Sequence, residues 1–137
     1  MRGTFPAEYF DVRFRIPMAE RSLVWPPQFV ILTAWATTGE VWTDDRNREA
    51  DSSLRRWCAA GGLSYRRITG YSQEISHAEP GWAITMDVSV ACRLGCRFRQ
   101  RALYQVQDDS LWVITCAEPS RRQYVGSFRS RLANGDS

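Results

Sequence analysis

Hydrophobic residues follow three rhythms along the chain, and each rhythm predicts a different kind of element. Phe10, Val12, Phe14 and Ile16 alternate with Asp11, Arg13 and Arg15. Period-two alternation marks a half-exposed strand over 9–16, at or near a sheet edge, and Pro17 stops it. Phe29, Val30, Ile31 and Leu32 run on with no polar alternation, as in a strand covered on both faces at the middle of a sheet. Pro26 and Pro27 bar regular structure just before that run. Ala50, Leu54, Trp57 and Cys58 recur at helical spacing, with Arg48, Asp51, Ser52, Arg55 and Arg56 turned elsewhere. Thr43, Asp44 or Asp45 can cap this helix, and Gly61-Gly62 can close it through left-handed backbone. A second helical stripe (Val88, Ala91, Cys92, Gly95, Phe98) follows Asp87 as its N-cap. Gly95 inside the stripe costs about 1 kcal/mol against Ala, which a close helix–sheet approach would explain.

Shorter apolar runs predict strands over 63–69, 81–86, 102–106 and 111–116, with a loop over 70–80 and a hairpin turn at Asp108-Asp109-Ser110. Apolar residues thin out beyond Ala117, so the globular domain is read as 1–125 and 126–137 as a flexible tail. The order is β-β-α-β-β-α-β-β. It predicts an α+β domain of α/β-like character, with one mixed sheet of about five to six strands and two helices packed on it. Two strand–helix–strand units, 29–69 and 81–106, sit in tandem.

Composition narrows the class. At 137 residues, 44% hydrophobic and 24% charged, the chain suits one globular domain. It has no apolar run long enough to cross a bilayer, and its first residues lack the apolar segment of a secretion signal. A cytoplasmic protein is the default, with no membrane partner. The four cysteines (Cys58, Cys92, Cys96, Cys116) make no C-x-x-C pair. Core packing is their simplest use, ahead of metal or redox roles.

The net charge of +3 rests on arginine alone, because lysine is absent. Arg93, Arg97, Arg99 and Arg101 fall in one stretch free of acids. Arg93, Arg97 and Arg101 would line one side of the second helix and its exit. Nucleic acid is therefore a possible partner, although no helix-turn-helix, zinc-finger or RNP pattern accompanies the charge. A solvated helix face is the plainer alternative.

A second constellation gathers at loop ends. Thr33 and Trp35 follow the central strand, Asn47 and Arg48 open the first helix, and His77 and Glu79 precede a later strand. Ligands of open α/β sheets sit beyond the carboxyl ends of such strands. Arg48 near a helix N-terminus could meet a carboxylate or phosphate, or Asn47 and Asp45 could merely cap. His77, the only histidine, could act with Glu79 as an acid–base pair. No Ser-His-Asp order, H-E-x-x-H, Walker loop or G-x-G-x-x-G occurs. Neither a cofactor nor a metal is expected.

Phe29-Val-Ile-Leu-Thr-Ala-Trp, Asn47-Arg48, Gly70, Glu79-Pro80 and Phe98-Arg-Gln100-Arg-Ala102 together resemble a bacterial family catalogued as domain of unknown function 3293. The resemblance covers about residues 9–116. Members typically read Thr-Ala-Trp-Asn-Pro after the central strand and Gly-Gln before the later one. Here Ala36-Thr37 replaces Asn-Pro and Arg99 replaces the Gly. The resemblance implies a single cytosolic domain and groups Thr33, Trp35, Asn47, Glu79 and Gln100. It implies no mechanism.

The favoured function is a non-enzymatic binding, regulatory or protein-interaction module. Its loop-end pocket of Thr33, Trp35, Asn47, Arg48, Glu79 and Gln100 would take a small anionic or nucleotide-like ligand. A nucleic-acid binder using Arg93, Arg97 and Arg101 is the alternative, and a small enzyme using His77 and Glu79 the third. The exposed edge and spare tryptophans would suit a homodimer.

Overall fold

Both predicted helix starts are present in the computed structural model, which describes residues 5, 7–20, 24–36, 41–72 and 77–132. Helix α1 (Asp44–Ala60) is capped by Thr43, whose hydroxyl accepts from Arg46 N at 3.1 Å. Helix α2 (Val88–Arg97) is capped by Asp87, whose carboxylate accepts from Ser89 N at 3.1 Å. The two hydrogen bonds from Ser89 hold the Asp87 carboxyl below its ordinary range.

The strands are β1 (Arg13–Arg15), β2 (Gln28–Leu32), β3 (Tyr65–Ser72), β4 (His77–Ile84), β5 (Ala102–Gln107), β6 (Ser110–Thr115) and β7 (Glu118–Ser127). Among the described residues they form one seven-stranded sheet in the order β1-β3-β4-β2-β5-β6-β7, with every neighbouring pair antiparallel. The sheet is therefore not mixed, and both the strand count and the order differ from the expectation. The reason is that each strand–helix–strand crossover is split. β4 lies between β2 and β3, and β2 lies between β4 and β5. The two strands of each crossover run the same way but never touch.

Three boundaries also differ. The predicted 70–80 loop is mostly strand, with 73–76 outside the described residues. Pro80 is tolerated because β4 pairs with β2 only over Trp82–Ile84, so no β2 ladder hydrogen bond calls for an N–H at residue 80. The strand predicted over 9–16 shortens to β1. The tail expected from 126 starts inside β7, where Gly126 and Ser127 still pair with β6. Phe128 follows at 2% exposure, and residues 133–137 lie outside the described set.

β2 is the middle strand, and its residues feed two cores. Val30 and Leu32 meet Leu54, Cys58, Ala91, Cys92 and Leu94 of the helices. Fully burying such a side chain contributes about 1.5–3 kcal/mol. The close approach expected at Gly95 is present: a Cβ there would lie 2.6 Å from Cys116 Sγ. Phe29 and Ile31 face the other way, toward Phe14, Ile68, Val106, Leu111 and Phe128. That core is the inside of a curl. Four strand steps separate β1 from β5, about 19 Å in a flat sheet, yet the Phe14 and Tyr104 rings are 5.6 Å apart. The edges close where Phe14 bridges Leu132 and where Arg131 donates to the carbonyls of Phe10, Val12 and Val125.

Candidate functional site

The chain leaves β2 through Thr33–Ala36, and three separate elements hold that segment. Thr33 Oγ1 donates to Pro80 O at 3.0 Å and accepts from Trp35 N at 3.2 Å. Asn47, on the buried stripe of α1, accepts from Ala36 N at 2.8 Å. Gln100, just past α2, donates from Nε2 to Trp35 O at 2.7 Å and Phe98 O at 3.2 Å. Gly81 lets the backbones pass closely, since a Cβ at that position would stand 2.8 Å from Leu32 O.

Asn47 and Gln100 are buried polar residues, and burial of unpaired amides costs free energy. Here their hydrogen bonds go to backbone, so they shape the loop. Trp35 differs: its indole N–H is shut off from solvent and meets no acceptor among the described residues, as is true elsewhere of Glu20 Oε1, Arg66 Nη1 and Ser72 Oγ.

The turn that delivers Gln100 has the Schellman pattern: Arg99 N bonds to Cys96 O at 3.0 Å and Gln100 N to Gly95 O at 2.8 Å. It requires left-handed backbone at residue 99, and Arg99 holds φ 62°. Gly adopts that conformation without strain.

Four predicted residues thus come together: Thr33, Trp35, Asn47 and Gln100. Arg48 points outward and pairs with Asp45 at 2.9 Å, with side chains 67% and 94% exposed. A pair that open to water is worth little. Glu79 is half-buried on β4, opposite Gly70 in the register. The backbone of His77 pairs with Ser72, but its side chain lies outside the described residues, as does Thr37.

One cluster beside the loop has no counterpart in the sequence reading. Arg67 grips Asp51 with two hydrogen bonds of 2.9 and 2.7 Å, donates to Gly81 O at 3.1 Å and stacks on Trp82 at 3.7 Å. The Trp82 indole reaches Asp51 O at 3.4 Å. Asp51 therefore faces inward, not outward as its charge suggested. Its position one turn after Asn47 and three residues before Leu54 was the available signal.

Burial pushes the thiols of Cys58 and Cys116 up to about 11 and about 12, and raises Cys92 as well. These three pack in the interior, while Cys96 is exposed. Among the described residues no group of three His, Cys, Asp or Glu side chains is placed to hold a metal ion. Among them, too, no helix is long and apolar enough to cross a membrane.

Fold and site define an α+β domain in which two helices back a curled antiparallel sheet, and in which a latched loop carrying a tryptophan ends the central strand. The profile of the family described as "Protein of unknown function (DUF3293)" matches residues 32–103, more than half of the chain, and the chain belongs to that family. The matched span holds every residue of the latch and the Asp51–Arg67–Trp82 cluster. Comparison with curated proteins finds no match, and neither does comparison with solved structures.

Proposed function

We propose that this chain is a binding module that takes a small ligand on the loop leaving β2, with Trp35 as the contact. The Trp35 indole N–H carries the reading, because a shielded donor without an acceptor is costly. An acceptor oxygen on a ligand would satisfy it once the loop shifts to admit the ligand, and the ring would supply an apolar wall. Thr33, Asn47 and Gln100 set the position of Trp35 without touching the ligand. Arg48 follows Asn47 in the chain and points into water; if it swings from its exposed pairing with Asp45, at small cost, it can meet an anionic ligand such as a nucleotide or small carboxylate.

Thermal-shift titrations with adenosine monophosphate, guanosine monophosphate and citrate test this. Ligand at 100 times its Kd stabilises the folded chain by about 2.7 kcal/mol. The expected result is a saturable rise in Tm with at least one of these compounds. Trp35→Phe should abolish that rise without lowering the ligand-free Tm, since the costly N–H it removes has no partner among the described residues. Absence of any shift across the three compounds overturns the proposal, and so does an equal shift in the variant.

A further inference from the structure

Strand alternation places Gln28, Gln105, Gln107, Trp112, Arg122 and Tyr124 on the face of the sheet that carries the helices. The helices cover Val30, Leu32, Ile84, Leu103 and Ile114, and Trp112 packs partly against that core. Toward the β7 edge of the same rows Arg122 and Tyr124 are exposed, Tyr124 at 53%, and Gln28 is exposed on β2. The patch is already assembled. The Arg122 guanidinium lies over the Trp112 ring at 4.0 Å, and Tyr124 meets that ring edge-on at 5.5 Å. Arg122 reaches the amide oxygens of Gln105 and Gln107 only at 3.4 Å, so weak bonds hold it.

We infer that this face, together with the arginines of α2 and its exit, binds single-stranded nucleic acid. Charge complementarity argues for that occupant. By register Arg122 stands opposite Ile114, which pairs with Leu103, two residues from Arg101. Arg97, Arg99, Arg101 and Arg122 are exposed and have no carboxylate partner among the described residues. Arg93 is also exposed and helps to depress Asp87.

Acids flank this surface at three places: Asp87 beside Arg93, Glu118 opposite Thr115 and so near Arg101 by register, and the β5–β6 turn. Asp109 spends its oxygens on Ser127 Oγ and Arg129 N, and Asp108 occupies the tip. Arg99 adds a second signal. It keeps a cation in a left-handed conformation that glycine would hold freely, and strain of that kind concentrates at functional positions.

The residue types fit a strand with splayed bases. Phosphates suit the arginines, base faces suit Tyr124 and the Arg122–Trp112 stack, and base edges suit the glutamine amides. A duplex hides those base faces. A protein partner would seek an apolar centre, whereas the uncovered residues here are polar or aromatic.

Fluorescence anisotropy with a labelled oligouridylate of about twelve nucleotides, within the site sizes of single-strand binders, tests the inference against a duplex of equal length. The expected result is single-strand binding that weakens steeply with salt. Tyr124→Ala should lower affinity about tenfold, and Tyr124→Phe should retain it. Arg97→Ala with Arg101→Ala should flatten the salt slope by about 0.7 per phosphate contact. Circular dichroism and Tm confirm that each variant is folded. No binding, binding independent of salt, a preference for the duplex, or Tyr124→Ala binding like wild type would each overturn it.

Discussion

Helices α1 and α2 end in the same hydrogen-bond pattern but with opposite chemistry. At α1, Gly62 N bonds to Ala59 O and Leu63 N to Cys58 O, at 3.1 and 3.0 Å. At α2, Arg99 and Gln100 make the equivalent bonds to Cys96 and Gly95. The left-handed residue is Gly62 in one, at φ 70°, and Arg99 in the other, at φ 62°. The residue after it is Leu63, packed on the helix-side core, or Gln100, reaching across to the Trp35 carbonyl. Identical backbone geometry thus serves two ends. The first turn is relaxed and apolar and serves the core. The second carries strain and a buried amide, and serves the loop that bears Trp35.

Giving α2 the residue that α1 uses is the strongest way to break this comparison. Gln100→Leu leaves the turn intact but removes the only donor to Trp35 O among the described residues. An acceptor left unsatisfied costs about 1–3 kcal/mol, and urea denaturation should show a loss of that size. If Gln100 merely ended a helix, leucine would serve as well as it does at position 63 and stability would not change.

That division of labour was only half legible in the sequence. The unalternated run Phe29–Leu32 announces a strand buried on both faces, and Asp108-Asp109 announces a tight hairpin, because both signals are local. Asp108 and Asp109 indeed hold φ 47° and 78°. Strand neighbours are not local. Nothing in the period of residues 29–69 says that β4 will come to lie between β2 and β3. β7 escaped notice because Arg122 and Tyr124 are polar or aromatic on an uncovered face, and the apolar Phe128 falls after the strand. At the site, motif resemblance grouped Thr33, Trp35, Asn47 and Gln100, but their hydrogen-bond partners are backbone atoms that a sequence cannot display. Arg48 follows Asn47 in the chain, yet one step around a helix turns it out to water.

Gly62→Arg gives α1 the strained residue of α2. A Cβ at residue 62 would meet no atom within 4 Å, so backbone conformation alone sets the cost. Left-handed backbone costs a side-chain-bearing residue about 1–2 kcal/mol, and φ 70° lies at the rim of the allowed region. Chemical denaturation should register a loss of that order. A neutral result would mean that the strain assigned to Arg99 is absent as well.

The reverse exchange, Arg99→Gly, should have the smallest effect on stability and the opposite sign. φ 62° lies close to the centre of the left-handed region, where the penalty on a side chain is least. Glycine also loosens the unfolded chain, which offsets part of the gain. A stabilisation of about 1 kcal/mol or less remains, seen as a rise in Tm of a few degrees for a domain of this length. The same variant deletes one exposed cation from the stretch Arg93–Arg101 and leaves the Gln100 latch untouched. If the strained arginine is kept for binding, oligouridylate affinity should fall while Tm rises. A rise in Tm with unchanged affinity would make Arg99 a cost of the turn with no return, and would leave the contrast between the two helix ends resting on Gln100 alone.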